Sequence, residues 1–132
     1  MKLDKIDHIG IAVNNIEEAL KVYKDLGLEV DSIETVEEQK VKTAVINIGE
    51  SKIELLESTS PDGTIAKFIE KRGEGLHHLA LAVDNIRVAL EELEEKNIPL
   101  IDKTPRKGVC DTSIGFLHPK GTKILLELVE KK

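Results

Sequence analysis

The chain carries one pattern twice. Ile6-Asp7-His8-Ile9-Gly10-Ile11-Ala12-Val13-Asn14-Asn15-Ile16 returns as Leu76-His77-His78-Leu79-Ala80-Leu81-Ala82-Val83-Asp84-Asn85-Ile86, at an offset of 70 residues that pairs His8 with His78 and Asp7 with His77. A chain of 132 residues holds one well-packed domain and is too short for two ordinary ones. The duplicated module must therefore share a single core.

Each copy reads as strand, helix and three strands. Lys5 to Val13 alternates like a strand, Asn14 or Asn15 offers a helix cap, and Ile16, Ala19, Leu20, Tyr23 and Leu26 recur at helical spacing before Gly27. Residues 28–34, 41–48 and 52–57 read as further strands, the last two joined by a hairpin turn at Gly49-Glu50-Ser51. Thr64 to Arg72 reads as a short linking helix. The second copy opens with the strand holding His77 and His78, continues into a helix capped by Asn85, and ends near Asn97. Strands are expected at 99–102, 113–117 and 122–129, with a mobile loop at 104–112 and a turn at His118-Pro119-Lys120-Gly121. The expected organisation is one domain, 1–132, with module 1 at about 1–60, a linker helix at about 61–74 and module 2 at about 75–132.

Charge and cysteine usage exclude several classes. The net charge of −6 gives no general affinity for nucleic acid or an anionic membrane, which needs a basic surface. Cys110 is the single cysteine, so no intrachain disulfide forms, and no apolar run reads as a signal peptide or membrane span. The cytoplasm is the default expectation. No glycine-rich phosphate loop, zinc-ribbon cysteine pair or serine elbow is present.

The repeat extends to the closing strands. Ile53-Glu54-Leu55-Leu56-Glu57 matches Leu126-Glu127-Leu128-Val129-Glu130, at an offset of 73. Each module thus offers one histidine on its first strand and one glutamate on its last. Taken singly, a strand histidine is more often a hydrogen-bonded structural residue, and a glutamate in an alternating strand is often its solvent-facing position. Two modules facing each other about a pseudo-twofold axis would instead bring His8, Glu54, His78 and Glu127 to one cavity. Two imidazoles and two carboxylates suit a divalent metal with positions left for water or substrate. His77 falls on the opposite face of its strand.

With these residues the chain resembles the vicinal oxygen chelate superfamily, and within it the methylmalonyl-CoA epimerase family. The resemblance is carried by the quartet, by the run Ile65-Ala66-Lys67-Phe68-Ile69-Glu70-Lys71-Arg72-Gly73-Glu74-Gly75-Leu76-His77-His78, and by Ile114-Gly115-Phe116-Leu117-His118-Pro119-Lys120. It implies an α+β fold in which two βαβββ modules form one eight-stranded cup-shaped sheet. It implies a metal held by His8, Glu54, His78 and Glu127, cobalt first, with manganese, nickel and zinc also suited. The implied reaction inverts C2 of a coenzyme A thioester through an enolate, with Glu127 and Glu54 as the proton-transfer candidates, and the implied assembly is a homodimer. Some relatives carry a further glutamate on the third strand, where this chain has Val41-Lys42-Thr43-Ala44-Val45. Lys120 and His118 are candidates for substrate contact, and Lys120, Lys107 and Arg106 for the coenzyme A portion. The alternatives are a lactoylglutathione lyase (glyoxalase I) on the same quartet and a metal-free small-molecule-binding protein of the same fold.

Overall fold

A computed structural model describes residues 1–131. The elements are β1 (Leu3–Ala12), α1 (Ile16–Asp25), β2 (Val30–Val36), β3 (Val41–Ile48), β4 (Ser51–Ser58), α2 (Thr64–Arg72), β5 (Gly75–Val83), α3 (Ile86–Glu95), β6 (Arg106–Lys107), β7 (Thr112–Leu117), α4 (Pro119–Thr122) and β8 (Leu126–Lys131). They form an α+β fold with one eight-stranded sheet, ordered β2-β3-β4-β1-β5-β8-β7-β6. That order is the sequence repeat made spatial: β1, β2, β3 and β4 correspond in turn to β5, β6, β7 and β8. No helix among the described residues is long and apolar enough to cross a membrane.

The chain packs as two compact units, residues 8–77 and residues 1–7 with the chain from His78 onward. In the first, β1 runs parallel to β4, while β3 pairs antiparallel with both β2 and β4. Ile16 and Leu20 of α1 pack with Ala44, Ile46 and Leu55 on one face of these strands. On the other face Ile65 of α2 packs with Ala12, Val41 and Leu56. In the second unit β5 runs parallel to β8, and β7 pairs antiparallel with β8 and β6. Ile86, Ala89, Leu90 and Leu93 of α3 pack with Leu117 and Leu128. Ala80, Ile114 and Val129 gather on the opposite face, with Phe116 against them.

Both long helices start and stop by the same means. Asn15 Oδ1 accepts a hydrogen bond from the Glu18 amide at 2.9 Å, and Asn85 Oδ1 from the Val88 amide at 3.1 Å. Such side-chain caps satisfy amides that have no partner within the helix. After the last turns Gly27 (φ 89°) and Asn97 (φ 61°) enter the left-handed region, which glycine and asparagine tolerate best.

The second module departs from the sequence expectation along its outer edge. Residues 99–102 do not form a strand of the sheet. Leu100 makes one isolated bridge to Leu117, and the amides of Ile101 and Asp102 both donate to the Phe116 carbonyl. Pro99 has no amide hydrogen to give a ladder, and two donors converging on one carbonyl break its alternation. The edge strand is instead β6, inside the stretch expected to be a mobile loop, with Arg106 opposite Ile114 and Lys107 opposite Ser113. The turn at 118–121 lies largely within α4, with Pro119 at its first position, and β8 starts at Leu126 rather than 122.

Candidate metal centre

Register brings each histidine to its glutamate. In the parallel β1–β4 pair Gly10 stands opposite Glu54, and in β5–β8 Ala80 stands opposite Glu127. Residues two apart on a strand share a face, so His8 lies on the face of Gly10 and Glu54, and His78 on that of Ala80 and Glu127. The flanking Leu55 and Leu128 point the other way, into the α1 and α3 cores. Both glutamates are thereby turned onto the face opposite the long helices.

The pairs are close. His8 Nδ1 lies 3.4 Å from Glu54 Oε2, and His78 Nε2 lies 3.1 Å from Glu127 Oε1. Fractional exposure decides against solvent-facing glutamates: it is 3% for His8, 7% for Glu54, 5% for His78 and 4% for Glu127. A carboxylate withdrawn from water this far needs a cation or hydrogen-bond donors to offset its lost hydration.

Each unit thus offers one imidazole and one carboxylate side by side, His8 with Glu54 in one and His78 with Glu127 in the other. Imidazole and carboxylate are donors that first-row divalent ions take up, and either pair fits part of the shell of such an ion.

The remaining candidates fall in different places. His77 is half-buried, with its ring 4.8 Å from that of Phe68 in an edge-on contact. His118 is exposed and caps α4, its Nδ1 accepting from the Lys120 amide at 3.0 Å. Lys107 and Lys120 are exposed, as is Cys110. Arg106 is held at two points: Nε is 3.4 Å from Asp102 Oδ2, and the guanidinium carbon lies 5.2 Å from the Phe116 ring centroid. Phe116 in turn meets His78 edge-on at 5.7 Å.

Sequence reasoning missed two glutamates that were already in the matched motif. Glu57 Oε1 accepts from the Ile16 amide and Glu130 Oε1 from the Ile86 amide, both at 2.7 Å. A carboxylate at the amino end of a helix also opposes the positive end of its dipole. Three residues on from Glu54 and Glu127, these side chains tie each closing strand to the helix after its histidine strand. Their recurrence at the offset of 73 was the available signal. Phe116 and Asp102 gave no such signal, because neither is repeated.

The model of the Glyoxalase/Bleomycin resistance protein/Dioxygenase superfamily matches residues 7–116. The chain belongs to this superfamily. The match spans His8, Glu54 and His78, while Glu127 lies beyond it. Within the superfamily, an uncharacterized protein of Bacillus subtilis is 41% identical, covering 98% of this chain and 94% of that one. The mitochondrial methylmalonyl-CoA epimerase of Bos taurus is 36% identical over 89% of this chain and 68% of its own. A methylmalonyl-CoA epimerase solved in complex with methylmalonyl-CoA and NH4+ superposes with a TM-score of 0.94 at 35% identity, covering 98% of this chain and 96% of that one. By sequence and by fold the chain groups with the methylmalonyl-CoA epimerases of the superfamily.

Proposed function

We propose that the protein is a metal-dependent methylmalonyl-CoA epimerase, an isomerase interconverting the (R) and (S) epimers at C2. The observation that carries this reading is the buried histidine–glutamate pair repeated at equivalent register in both modules, in a chain similar to epimerases along nearly its whole length. His8, Glu54, His78 and Glu127 are the residues assigned to the metal. Cobalt is the first choice, and manganese, nickel and zinc suit the same donors. When bound, such an ion supplies positive charge against the negative charge that grows on the thioester oxygen as the C2 proton leaves.

The chain's own residues do the rest. Glu127, ionised, takes the C2 proton from one face of the substrate, and Glu54, protonated at the outset, gives its proton to the other, so that the two carboxyl groups exchange protonation states in each turnover. His8 and His78 fix the orientation of these carboxylates at 3.4 Å and 3.1 Å. Burial of all four keeps bulk water from competing for the transferred proton. Residues 41–45 of the third strand carry no carboxylate, so the second role is assigned to Glu54. Lys120 and His118 are assigned to substrate contact. The proposed assembly is a cytoplasmic homodimer.

The test is an assay of the purified protein with added divalent metals, against methylmalonyl-CoA and against the hemithioacetal of methylglyoxal and glutathione. Exchange of the C2 hydrogen for solvent deuterium on both epimers is the expected result. Turnover of the hemithioacetal alone would overturn it in favour of a lactoylglutathione lyase. Absence of any bound metal together with absence of turnover would leave a small-molecule binder.

A further inference from the structure

A row of side chains crosses the second unit on one face of the sheet. His78 shares a face with Ala80; Ala80 is opposite Glu127; Glu127 is opposite Phe116; and Ile114, two residues from Phe116, is opposite Arg106. Strand alternation therefore puts the Arg106 guanidinium on the same face as His78 and Glu127. Contacts confirm the order, with Arg106 over Phe116 and Phe116 edge-on to His78. The cation thus stands at the outer end of the row whose inner end is the candidate metal centre.

Arg106 is also restrained at two points. Asp102 Oδ2 takes the Nε side of the guanidinium and accepts the Phe116 amide at 2.9 Å, so the carboxylate is itself fixed. The ring of Phe116 lies under the guanidinium carbon at 5.2 Å and adds a second point of contact. With Nε turned to Asp102, the paired Nη groups are the fork that matches a carboxylate or phosphate in two parallel hydrogen bonds. The Arg106 side chain retains 45% of its exposure, so an incoming anion reaches it from solvent.

We infer that Arg106 is the anion-binding residue for the acyl-CoA substrate, gripping an oxyanion of the thioester while its reacting end lies at His78 and Glu127. The inference rests on the epimerase reading and adds to it a substrate-binding residue. Two parts of such a ligand carry oxyanions, the acyl carboxylate and the phosphates of coenzyme A.

The experiment is calorimetric titration of wild type, Arg106→Gln and Arg106→Lys with malonyl-CoA, propionyl-CoA and the malonyl thioester of N-acetylcysteamine. Loss of a charged hydrogen-bonding partner is expected to weaken malonyl-CoA binding by about tenfold or more in Arg106→Gln, with a smaller loss in Arg106→Lys. If the carboxylate is gripped, propionyl-CoA binding is unchanged and the N-acetylcysteamine thioester weakens in parallel. If the phosphates are gripped, propionyl-CoA weakens and the N-acetylcysteamine thioester does not. Affinities of Arg106→Gln within twofold of wild type for all three ligands would overturn the assignment. In that event the epimerase reading stands as long as wild type turns over methylmalonyl-CoA. A wild type that binds no acyl-CoA and epimerises none would overturn both. Melting temperatures of the variants, expected to match wild type, show that altered affinity is not altered folding.

Discussion

Glu57 reaches from the end of β4 to the first amide of α1, accepting a hydrogen bond from Ile16 at 2.7 Å. Ile16 is fully buried, so its amide has no water to turn to. Glu57→Ala is expected to lower unfolding free energy by about 1–3 kcal/mol, the cost of leaving a buried donor unmade. Glu130→Ala is expected to behave alike at Ile86, where the same bond has the same length. Urea titrations of the two variants against wild type measure both; a loss in one and none in the other would break the functional equivalence of the modules.

Removing the proton-transfer groups has a separate signature from removing ligands that only hold. Glu127→Gln keeps an oxygen donor at nearly the same position while losing the base, so kcat is expected to fall by about 10²–10⁴ with methylmalonyl-CoA binding retained. His78→Ala deletes one of the four residues assigned to the metal, and bound metal measured by elemental analysis is expected to fall with activity. Full metal occupancy in His78→Ala would exclude this histidine from the coordination set.

The α3 core has little slack at Leu90. The residue is fully buried, and a Cβ built on Gly115 would stand 3.0 Å from its Cδ1. Leu90→Ala is expected to cost about 2–5 kcal/mol through lost burial and the cavity left behind. Gly115→Ala is expected to destabilise wild type and to cost less in the Leu90→Ala background, where the clashing methyl is gone. A double-mutant cycle from chemical denaturation checks the coupling and its sign.

Lys40 and Asp62 give a pH dependence. Lys40 Nζ lies 2.6 Å from Asp62 Oδ2, and the Ser60 hydroxyl donates to the same carboxylate. The hydrogen bond from Lys40 leads these effects in holding the Asp62 pKa at about 2, below the ordinary 3.8. A folded-state pKa below the unfolded value adds stability that is complete above the unfolded pKa and is lost as pH falls through the folded one. The stability difference between wild type and Asp62→Asn is therefore expected to be flat above about pH 5 and to close between about pH 4 and 2. Both groups are exposed, so added salt should shrink the difference. Denaturant titrations across that range read it directly.

The inner part of the fold was legible because it is written twice. His8 with His78, Asn15 with Asn85 and Glu54 with Glu127 each recur, and strands buried on one face alternate strictly enough for their register to follow. The outer edge of the second module was not legible. Two-residue β6 carries no periodic pattern, and it pairs because Ser113 and Ile114 of β7 are within reach, which no local propensity encodes. Pro99-Leu100-Ile101 has strand composition, yet its donors converge on the single carbonyl of Phe116. For the same reason Arg106 read as one loop cation among several. Its position over Phe116 follows from a tertiary pairing between residues of no fixed spacing.

The parallel pairing of β1 with β4 and β5 with β8 separates where the site is set from where the chain is free to vary. Register partners in these pairs lie 44 and 47 residues apart, and the chain between them pairs with β4 and β8 through the ladders of β3 and β7. The β3–β4 turn and the α4 segment lie outside all of these ladders, so they can lengthen without moving a glutamate relative to its histidine, which makes them natural points for grafting new recognition loops. The vulnerable places are short and internal: deleting Leu126 would move Glu127 to the face packed on α3 and put Leu128 where the carboxylate had been.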